Sequence, residues 1–400
     1  GDVYKRQILE KMIYNDEYDK IDENLNDSNV GARKERNIRD NLFVLYSVIN
    51  SVLNKETDDI DISVFDITKC FDTLWLEDSF NDLFEKGLDN DKLVLLYKEN
   101  LENKVSVKTP YGKTDEFGID NVIMQGTIFG PLLCTTSMSK LGDLSYQHGK
   151  SLLTYKDTVK IPSLGMIDDI LTINKCGVET IFANTKTNSF VESKRLMFSE
   201  KKCHRMHIGN AKESKCEKIK AHDKIIEDSE REKYVGDIIA RNGKPDDNIA
   251  ARRAKGFGIA SDILSILDEV LIGSHRIEAG LCMREGMLLN GILTNSEVWI
   301  GLNENHYREL EQVDEYLLRG ILKAHSKGPI ESLYLETGTI PIRYIIKKRR
   351  INYLHHFITR DSSELINKVY LALYFTFQMG HFLYRKISQA PDHLQKLFAP

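Results

Sequence analysis

The sequence contains no apolar run of the ~18–20 residues that a membrane-spanning helix requires. The longest apolar stretch near the C-terminus, Val369 to Phe377, is too short and is interrupted by Tyr and Thr. Hydrophobic residues make up 41% of the chain and charged residues 29%, which is the composition of an ordinary globular protein. We therefore expect no membrane partner.

Informative cysteine patterns and an excess of basic residues are also missing. The six cysteines are scattered along the chain without a C-x-x-C pair, which argues against a disulfide framework and favours a reducing compartment. The net charge of −5 is not the basic footprint of a typical nucleic-acid-binding protein. Binding of a nucleic acid would therefore have to depend on local basic patches.

The length and the pattern of the chain predict more than one domain. A chain of 400 residues exceeds what one compact core usually holds, so we expect two or three subdomains. The composition changes near residues 240–250, and helical patterns then follow over 249–271, 276–298, 304–324 and 341–358. Residues 1–7 resemble one reading frame of a transposon end used in sequencing libraries, and we expect them to be foreign to the fold.

The stretch that carries the most chemical information is Leu164 to Leu171, an apolar run with Asp168 and Asp169 in its middle. Such a run predicts a buried strand, and an unpaired charge inside a buried strand costs several kcal/mol. Two divalent metal ions are the partner that most naturally keeps two adjacent acids ionised there. The alternative for two adjacent aspartates is a solvated tight turn. That alternative fits another pair, Asp246-Asp247, because its neighbours are polar.

A second informative stretch runs from Ile60 to Asp72. Ile60, Ile62 and Val64 alternate with polar residues, which predicts a strand that ends at Asp66. An acid at the carboxyl end of a strand is a common position for chemistry in α/β proteins. Asp66 is therefore a candidate third carboxylate of a metal site, although an aspartate in this position taken alone is more often a cap of the following helix, expected over residues 74–86.

Two glycine-containing loops precede predicted helices. Residues 28–40 contain Gly31, Arg33 and Arg36, and guanidinium groups at the start of a helix could contact phosphate. A solvated basic turn explains that loop equally well. The loop at residues 125–131 contains Gly126 and Gly130, which permit close backbone approach, so it could lie beneath a nucleotide or be a plain turn into a buried helix.

A zinc site is an alternative interpretation of the basic stretch near residue 203. Cys203, His204 and His207, with Cys216, offer zinc-ligand types. The spacing is irregular and no closed C-x-x-C half is present, so a basic strand edge near the substrate is the favoured interpretation.

The order of these motifs resembles the polymerase palm of reverse transcriptases, specifically those of non-LTR (LINE-type) retrotransposons. The resemblance extends from about residue 8 to about residue 360. Its motifs, in the order of the family, are Gly31-Ala32-Arg33-Lys34-Glu35-Arg36, Asp66 to Asp72, Gln125-Gly126…Gly130-Pro131, Asp168-Asp169, Lys202-Cys203 and Tyr234-Val235-Gly236. Each motif is weak alone, whereas the ordered set is specific.

The resemblance implies an α/β fold, in the form of an α+β polymerase palm, within a right-hand fingers–palm architecture with a helical thumb. The expected domains after the foreign residues 1–7 are partial fingers (8–60), a palm with inserted fingers elements (61–245), a helical thumb (246–360) and a tail of uncertain character (361–400). Basic clusters at residues 252–255 and 347–350 are expected to hold the backbone of a template–primer duplex.

The implied function is that of an RNA-directed DNA polymerase. The resemblance implies an RNA template, a DNA primer and dNTPs as partners, and the nucleus and cytoplasm as location, but it does not indicate an oligomeric state. Two Mg²⁺ ions are the expected cofactors, with Mn²⁺ as a substitute, because Mg²⁺ prefers carboxylates, waters and phosphate oxygens. The alternatives are an inactive relic that still binds nucleic acid and an RNA-directed RNA polymerase.

The resemblance also implies a role for each residue in the motifs. Asp66 and Asp168 would bridge the two metal ions, Asp169 would support them, and Lys202 would be the general acid near the pyrophosphate. Phe71 would be the steric gate against a 2′-hydroxyl. Ile67 and Thr68 would contact the triphosphate, and Arg33 and Arg36 would contact the triphosphate or the template. Gln125 and Gly126 would contact the nascent base pair and the template. Tyr234, Val235 and Gly236 would contact the primer end.

Two residues depart from the family pattern. Met166 stands where an aromatic residue usually precedes the paired aspartates, so we expect different packing at the primer end. Cys203 stands where a threonine usually follows the lysine. Neither departure removes a metal ligand.

Overall fold

The structure is a computed structural model, and it describes residues 2–27, 29–53, 59–101, 103–119, 122–124, 126–144, 153–155, 157–161, 163–209, 218–270 and 274–375. The chain divides into two compact units, one of residues 1–229 with 368–400 and one of residues 230–367. The finer assignment of fingers, palm and thumb stays a prediction. Among the described residues, none of the helices combines the length and the apolar character needed to cross a membrane.

The first unit is a mixture of helices and short strands, and the predicted α/β fold class is confirmed. Its helices are α1 (Asp2–Glu23), α2 (Ile38–Leu53), α3 (Cys70–Thr73), α4 (Leu76–Glu85), α5 (Asn90–Leu101), α6 (Gly130–Leu144) and α7 (Val178–Ser193). Its strands are β1 (Ile60–Phe65), β2 (Asn103–Val105), β3 (Lys108–Thr109), β4 (Gly112–Lys113), β5 (Phe117–Ile119), β6 (Leu153–Tyr155), β7 (Asp157–Val159), β8 (Leu164–Met166), β9 (Asp169–Lys175), β10 (His204–Ile208), β11 (Lys220–Ala221), β12 (Lys224–Ile225) and β13 (Glu227–Asp228).

The principal sheet of this unit has five strands in the order β13-β10-β1-β9-β8. Strand β1 lies in the middle and pairs antiparallel with both β9 and β10. The strand expected from the alternation of Ile60, Ile62 and Val64 is confirmed, and the polar residues between them, Asp61 and Ser63, are buried as well. A central strand with neighbours on both edges and helices on its faces has little solvent-exposed surface, which alternation alone does not reveal.

Helices close the faces of the sheet. Helix α2 is buried along almost its whole length, and its apolar residues Leu42, Leu45, Val48 and Ile49 are inaccessible to solvent. A continuous core also joins the side chains of α1, α4 and α6 to the end of β1 at Phe65. The core therefore supports the residues that directly follow β1.

Residues 2–7 form the first turns of α1. The Arg6 guanidinium lies 3.1 Å from Glu10 Oε1 and donates a 2.7 Å hydrogen bond to Asn100 Oδ1. The expectation that residues 1–7 are foreign to the fold stays a prediction.

The second unit is helical apart from one hairpin, β14 (Arg231–Tyr234) with β15 (Asp237–Ala240). Its helices are α8 (Asp246–Val270), α9 (Ser274–Met283), a π-helical segment (Arg284–Leu289), α10 (Asn290–Ile292), α11 (Glu304–Leu322), α12 (Ile330–Thr337), α13 (Ile342–Ile358) and α14 (Leu365–Phe375), of which the last extends into the residues grouped with the first unit. The four expected helices are present, with the second divided into three segments, and α12 was not expected.

Helices α8 and α11 pack closely because glycine faces the neighbouring helix at two points. A Cβ on Gly256 would lie 2.8 Å from Val313, and a Cβ on Gly320 would lie 2.4 Å from Leu264. The same unit contains a fully buried ion pair, in which the Arg284 guanidinium donates to Asp314 Oδ1 at 2.6 Å and to Oδ2 at 2.7 Å. Both features make this unit sensitive to changes of side-chain volume and charge.

Candidate active site

Three carboxylates from two distant parts of the chain meet at one end of the principal sheet. Strand β1 ends at Phe65, which pairs with Ile170 of β9. Because the pairing is antiparallel, one further step brings Asp66 opposite Asp169. The charge of Asp66 acts on both Asp168 and Asp169, so the three acids form one electrostatic cluster.

The local structure at Asp168-Asp169 corrects the expectation of a buried strand interior. Strand β8 ends at Met166, Ile167 and Asp168 form the turn, and β9 begins at Asp169. Asp168 is half-buried and Asp169 is exposed. The acids therefore lie at the tip of a hairpin, and the tight-turn alternative describes the backbone, although this turn belongs to a carboxylate cluster.

The cluster disfavours its own ionisation. Partial burial raises the pKa of Asp168, and the neighbouring Asp66 raises it further. Desolvation at the hairpin likewise raises the pKa of Asp169, with added effects from Asp168 and Asp66. Lys202 acts in the opposite direction on both groups, so the site favours additional positive charge.

Lys202 is the cation that the fold brings to this cluster. It ends a single 3₁₀ turn (Glu200–Lys202) that leads into β10, the neighbour of β1. Lys202 Nζ lies 3.2 Å from Asp66 Oδ2 and 3.4 Å from Asp66 Oδ1. Lys201 and Lys202 are both exposed, and the contact with Asp66 is what distinguishes Lys202 from its neighbour.

Cys203 follows Lys202 and faces the same end of the sheet. Its thiol lies 3.9 Å from the Asp66 carbonyl oxygen. Burial raises the pKa of the Cys203 thiol to about 11, so the group is a neutral packing residue at ordinary pH. The threonine-to-cysteine departure therefore leaves the charge of the site unchanged.

Phe71 lies in α3, directly beyond the αL residue Lys69 (φ +49°). The ring is half-buried and packs against the core, and the Phe71 carbonyl accepts a 3.3 Å hydrogen bond from the Ile123 amide. Core contact alone would also explain this aromatic residue. The contact of Phe71 with a nucleotide sugar stays a prediction.

Of the two residues expected to contact the triphosphate, Thr68 has its backbone amide engaged inside the protein, and the contact of Ile67 and Thr68 stays a prediction. The Thr68 amide already donates a 2.8 Å hydrogen bond to the Met197 carbonyl. Ile67 is buried and forms a bridge with Phe198. The Thr68 amide is therefore unavailable to a phosphate oxygen unless this bond breaks.

The loop at residues 125–131 lies partly outside the described residues. Gln125 is outside them, whereas Gly126 is exposed with φ +90°. At Gly130 a Cβ would lie 2.7 Å from Thr127 Oγ1 and 2.9 Å from the Met124 carbonyl oxygen. The second glycine is thus required by a close turn before α6, and the nucleotide contact of Gln125 and Gly126 stays a prediction.

Arg33 and Arg36 are engaged within the protein. The Arg33 side chain is buried, and its guanidinium donates to Asp22 Oδ1 at 2.6 Å and to the Asn26 carbonyl at 2.6 Å. Arg36 lies 2.7 Å from Asp27 Oδ1. This geometry corrects the expected role of Arg33, because a buried guanidinium with these partners stabilises its own loop and does not face a triphosphate.

Tyr234, Val235 and Gly236 belong to the second unit, where Tyr234 ends β14 and Val235 and Gly236 form the turn into β15. Val235 and Gly236 have φ of +43° and +90°, and Tyr234 is buried. Their carbonyl groups are held by Asn295 Nδ2 (3.2 Å, to Val235) and by Arg252 (2.7 Å, to Gly236). The contact of these residues with the primer end stays a prediction.

The two basic clusters are less accessible than the sequence suggests. Arg252 is buried and paired with Asp237 at 2.7 Å. Arg349 donates a 2.6 Å hydrogen bond to the Leu293 carbonyl, and Arg350 donates to the Trp299 carbonyl. The exposed basic side chains of the two clusters are Lys255, Lys347 and Lys348.

The structure contradicts the zinc site of Cys203, His204 and His207. His207 Nδ1 lies 3.0 Å from Cys176 Sγ and 3.2 Å from Asp61 Oδ1, whereas Cys203 contacts Asp66 at the other end of β1. Cys203 and His207 are separated by about four residues of strand, roughly 13 Å, which is too far for both to bind one zinc ion. Cys216 lies outside the described residues.

A different cluster, Asp61, Cys176 and His207, does bring potential metal ligands within 4.8 Å of one another. Arg205 donates to Asp61 Oδ1 from Nε at 3.1 Å and from a terminal nitrogen at 2.7 Å, and Thr180 donates to Oδ2 at 2.8 Å. The charge of Asp61 is thus already balanced by a guanidinium. We interpret this cluster as an ion-paired network of the core, which the alternating pattern of β1 concealed.

Comparison with known proteins places this geometry in a family context. The model of the family described as reverse transcriptase (RNA-dependent DNA polymerase) matches residues 4–239, more than half of the chain. No curated protein matches the chain.

Solved telomerase structures are similar to the chain at low identity. Apo telomerase of Candida tropicalis is 16% identical with a TM-score of 0.41, over 92% of this chain and 60% of that one. Candida albicans telomerase with a TWJ fragment of telomeric RNA is 12% identical with a TM-score of 0.39, over 91% and 56%. A C. tropicalis telomerase without its C-terminal domain is 16% identical with a TM-score of 0.36, over 54% and 40%. The chain thus spans 40% to 60% of these proteins.

Proposed function

The chain belongs to the reverse transcriptase family, and from this membership we propose that it works as an RNA-directed DNA polymerase of the non-LTR (LINE-type) retrotransposon class. The observation that carries the proposal is the convergence of Asp66, Asp168 and Asp169 beside Lys202. These residues come from three separate motifs, and a scaffold protein would have no reason to hold them together. The LINE-type assignment is supported by the order of the remaining motifs along the chain.

Divalent metal ions fit the donor set of this cluster. The three carboxylates lie close enough to repel one another. Desolvation and this repulsion raise the pKa of Asp168 and Asp169. Only oxygen donors are present among these three residues, which suits Mg²⁺ better than zinc. We propose that Asp66 and Asp168 hold two Mg²⁺ ions with Asp169 in support. The ions would supply Lewis-acid stabilisation of the attacking and leaving oxygens.

The residues around the carboxylates have separate tasks in nucleotidyl transfer. A bond forms between the primer 3′-oxygen and the α-phosphorus, while the bond from that phosphorus to the pyrophosphate oxygen breaks. The 3′-hydroxyl gives its proton to solvent water, and the protonated Lys202 Nζ gives a proton to the leaving pyrophosphate. The half-buried Phe71 ring would stack against the sugar and leave no space for a 2′-hydroxyl.

The proposed partners are an RNA template, a DNA primer and dNTPs. Contacts to the duplex backbone would come from exposed basic side chains, of which Lys255, Lys347 and Lys348 are candidates. Primer contact through Val235 and Gly236 would use the backbone of the turn, because the Tyr234 side chain is buried.

Primer extension on an RNA template tests the proposal. The wild-type chain should extend a DNA primer with dNTPs and Mg²⁺, and the extension should stop when EDTA is added. Asp168→Asn with Asp169→Asn should abolish it. The matched control is Asp115→Asn with Glu116→Gln, two adjacent acids that are exposed and outside the cluster, and this variant should remain active.

Three outcomes would contradict the proposal. Extension by the Asp168→Asn, Asp169→Asn variant at the wild-type rate would remove the metal cluster from the mechanism. Equal use of rNTPs and dNTPs by the wild-type chain would favour an RNA-directed RNA polymerase. Retained binding of template–primer without any extension would identify an inactive relic.

A further inference from the structure

The paired aspartates depend on a backbone turn that is strained. Ile167, the residue directly before Asp168, has φ +61°. A β-branched residue in the left-handed region is a genuine outlier, and such a conformation costs about 1–3 kcal/mol unless surrounding structure maintains it. Contacts from residues outside the hairpin are therefore needed to stabilise the backbone conformation of Ile167.

The side chain of Asn29 makes the contacts that can do this. Asn29 is 3% exposed, and its Nδ2 donates a 2.9 Å hydrogen bond to the Ile167 carbonyl. Its Oδ1 accepts a 3.0 Å hydrogen bond from the Ile167 amide. One carboxamide thus binds both backbone groups of the residue that carries the strain.

The backbone around Asn29 fits against the same hairpin. The Val30 amide donates a 3.1 Å hydrogen bond to the Gly165 carbonyl, and Asn41 Nδ2 donates a second one at 2.9 Å. A Cβ on Gly31 would lie 2.6 Å from Ile167 Cγ1 and 2.7 Å from the Ile167 nitrogen. Only glycine at position 31 permits this approach.

The loop is itself held firmly in place. The Arg33 guanidinium binds the Asp22 carboxylate and the Asn26 carbonyl, which anchors the loop to the end of α1. Thr135 Oγ1 in α6 donates a 2.9 Å hydrogen bond to the Gly31 carbonyl. Asn29 therefore presents its carboxamide from a rigid support, which a positioning role requires.

We propose that Asn29 is a positioning residue for the metal-binding aspartates: it fixes the Ile167 turn so that Asp168 and Asp169 face Asp66. The proposal rests on the proposed function for its effect on catalysis, but its effect on metal binding can be measured separately. It also accounts for Gly31 and Arg33, which then serve the hairpin rather than a phosphate. No pattern in the sequence singled out Asn29, since nothing local connects it to a turn far along the chain.

Direct metal binding is the first measurement. Mn²⁺ binding to the free chain can be followed by the EPR signal of the free ion, without template or nucleotide. Asn29→Ala should weaken Mn²⁺ binding by about 10- to 100-fold, the usual loss when a residue that orients a metal ligand is removed. Asn29→Asp keeps the acceptor for the Ile167 amide and loses the donor to the Ile167 carbonyl, so its loss should be smaller.

Primer extension is the second measurement. The proposal predicts that Asn29→Ala lowers kcat and raises the half-saturating Mg²⁺ concentration, while KM for dNTP changes by less than about twofold, because the nucleotide contacts are intact. Gly31→Ala should act in the same direction, because the added methyl group displaces Ile167. Global destabilisation would instead lower the fraction of active protein without changing the Mg²⁺ dependence.

The matched control is Asn26→Ala in the same loop. Asn26 Nδ2 donates a 2.9 Å hydrogen bond to the Ser139 carbonyl in α6, so the variant removes a loop anchor that does not bind Ile167. Mn²⁺ binding by Asn26→Ala should equal that of the wild type.

The outcomes separate this proposal from the proposed function. Wild-type Mn²⁺ binding and extension in Asn29→Ala would overturn the positioning role and leave the polymerase intact. Weakened Mn²⁺ binding in a chain whose wild type does not extend primers would support the role and overturn the function. If Asn29→Ala does not fold, Asn29→Asp decides: unchanged Mn²⁺ binding in that variant would overturn the role.

Discussion

Lys202 Nζ lies 3.2 Å from Asp66 Oδ2, although 136 residues of chain separate them. The Lys202 side chain is 68% exposed, so the ion pair itself contributes at most about 1 kcal/mol to stability. Lys202→Met should therefore leave the free energy of unfolding nearly unchanged. If Lys202 is the general acid, the same change should lower the rate of single-turnover dNTP addition by about 10²- to 10⁴-fold.

Lys201→Met is the control for this experiment, because Lys201 has the same charge, is exposed and precedes Lys202 directly. Its rate should stay within a few-fold of the wild type. Equal losses in the two variants would show that positive charge in general, and not a proton from Lys202, supports the reaction.

Phe71→Ala should relax the selection against ribonucleotides. Removal of the half-buried ring opens space beside the sugar, so the ratio of kcat/KM for dNTP to that for rNTP should fall by about tenfold or more. The ratio is measured with matched nucleotides on one template–primer.

Tyr97→Ala tests whether any loss of core packing has the same effect. Tyr97 is also a partly buried aromatic residue on the same core, where it packs edge-on against Phe80. An unchanged ratio in Phe71→Ala, or an equal change in Tyr97→Ala, would leave Phe71 as a core residue and contradict the gate.

The buried pair Arg284–Asp314 should be essential to the stability of the second unit. Both side chains are almost completely inaccessible to solvent, so Asp314→Asn removes the buried acid and leaves the guanidinium with the exposed Glu285, 2.8 Å away, as its acidic partner. We expect a loss of about 3–5 kcal/mol in the free energy of unfolding, measured by urea denaturation. Arg284→Met with Asp314→Leu should recover much of this loss, because neither charge remains.

Lys323→Met breaks an exposed pair with Asp268 in the same unit, where the two side chains are 72% and 61% exposed. It should change the free energy of unfolding by less than about 1 kcal/mol. A similar small effect of Asp314→Asn would mean that water reaches the Arg284 pair.

The free energy of unfolding should fall at high pH because of Cys203. Burial raises the pKa of this thiol from its usual value near 9 to about 11. Above pH 9 the unfolded chain therefore loses the thiol proton while the folded chain keeps it, so stability is lost as the pH rises from about 9 to 11. Two pKa units correspond to about 3 kcal/mol at most.

Cys203→Ala removes this group, and its unfolding free energy should depend less on pH over the same window than that of the wild type. Cys282→Ala replaces an exposed cysteine and should keep the wild-type slope. The measurement is urea denaturation at intervals from pH 8 to pH 11. Parallel curves for wild type and Cys203→Ala would show that Cys203 is more accessible to water than the structure indicates.

Much of the local structure could be predicted from the residues alone. The alternation of Ile60, Ile62 and Val64 predicted the strand that ends before Asp66, and Pro131 with the apolar residues after it predicted α6. These features depend on steric preferences and side-chain periodicity within a few residues, which any sequence displays directly.

The sequence was less reliable where one residue type serves two purposes. Arg33 has the charge of a phosphate-binding residue, but its guanidinium binds Asp22 and Asn26 inside the protein. Asp168-Asp169 lie at a hairpin tip, because the chain reverses at Ile167 instead of continuing as one strand. In both cases the local pattern is compatible with two structures, and distant packing selects one of them.

The sequence by itself determined the family-like order of motifs, the α/β fold class and the three acidic residues of the candidate site. Only the tertiary structure decided which cation meets Asp66, that Asp61 is neutralised inside the core by Arg205, and that Asn29 holds the turn before Asp168. The reason is physical. Backbone preferences act between near neighbours, whereas the partner of a buried carboxamide or charge comes from a part of the chain that only folding brings close.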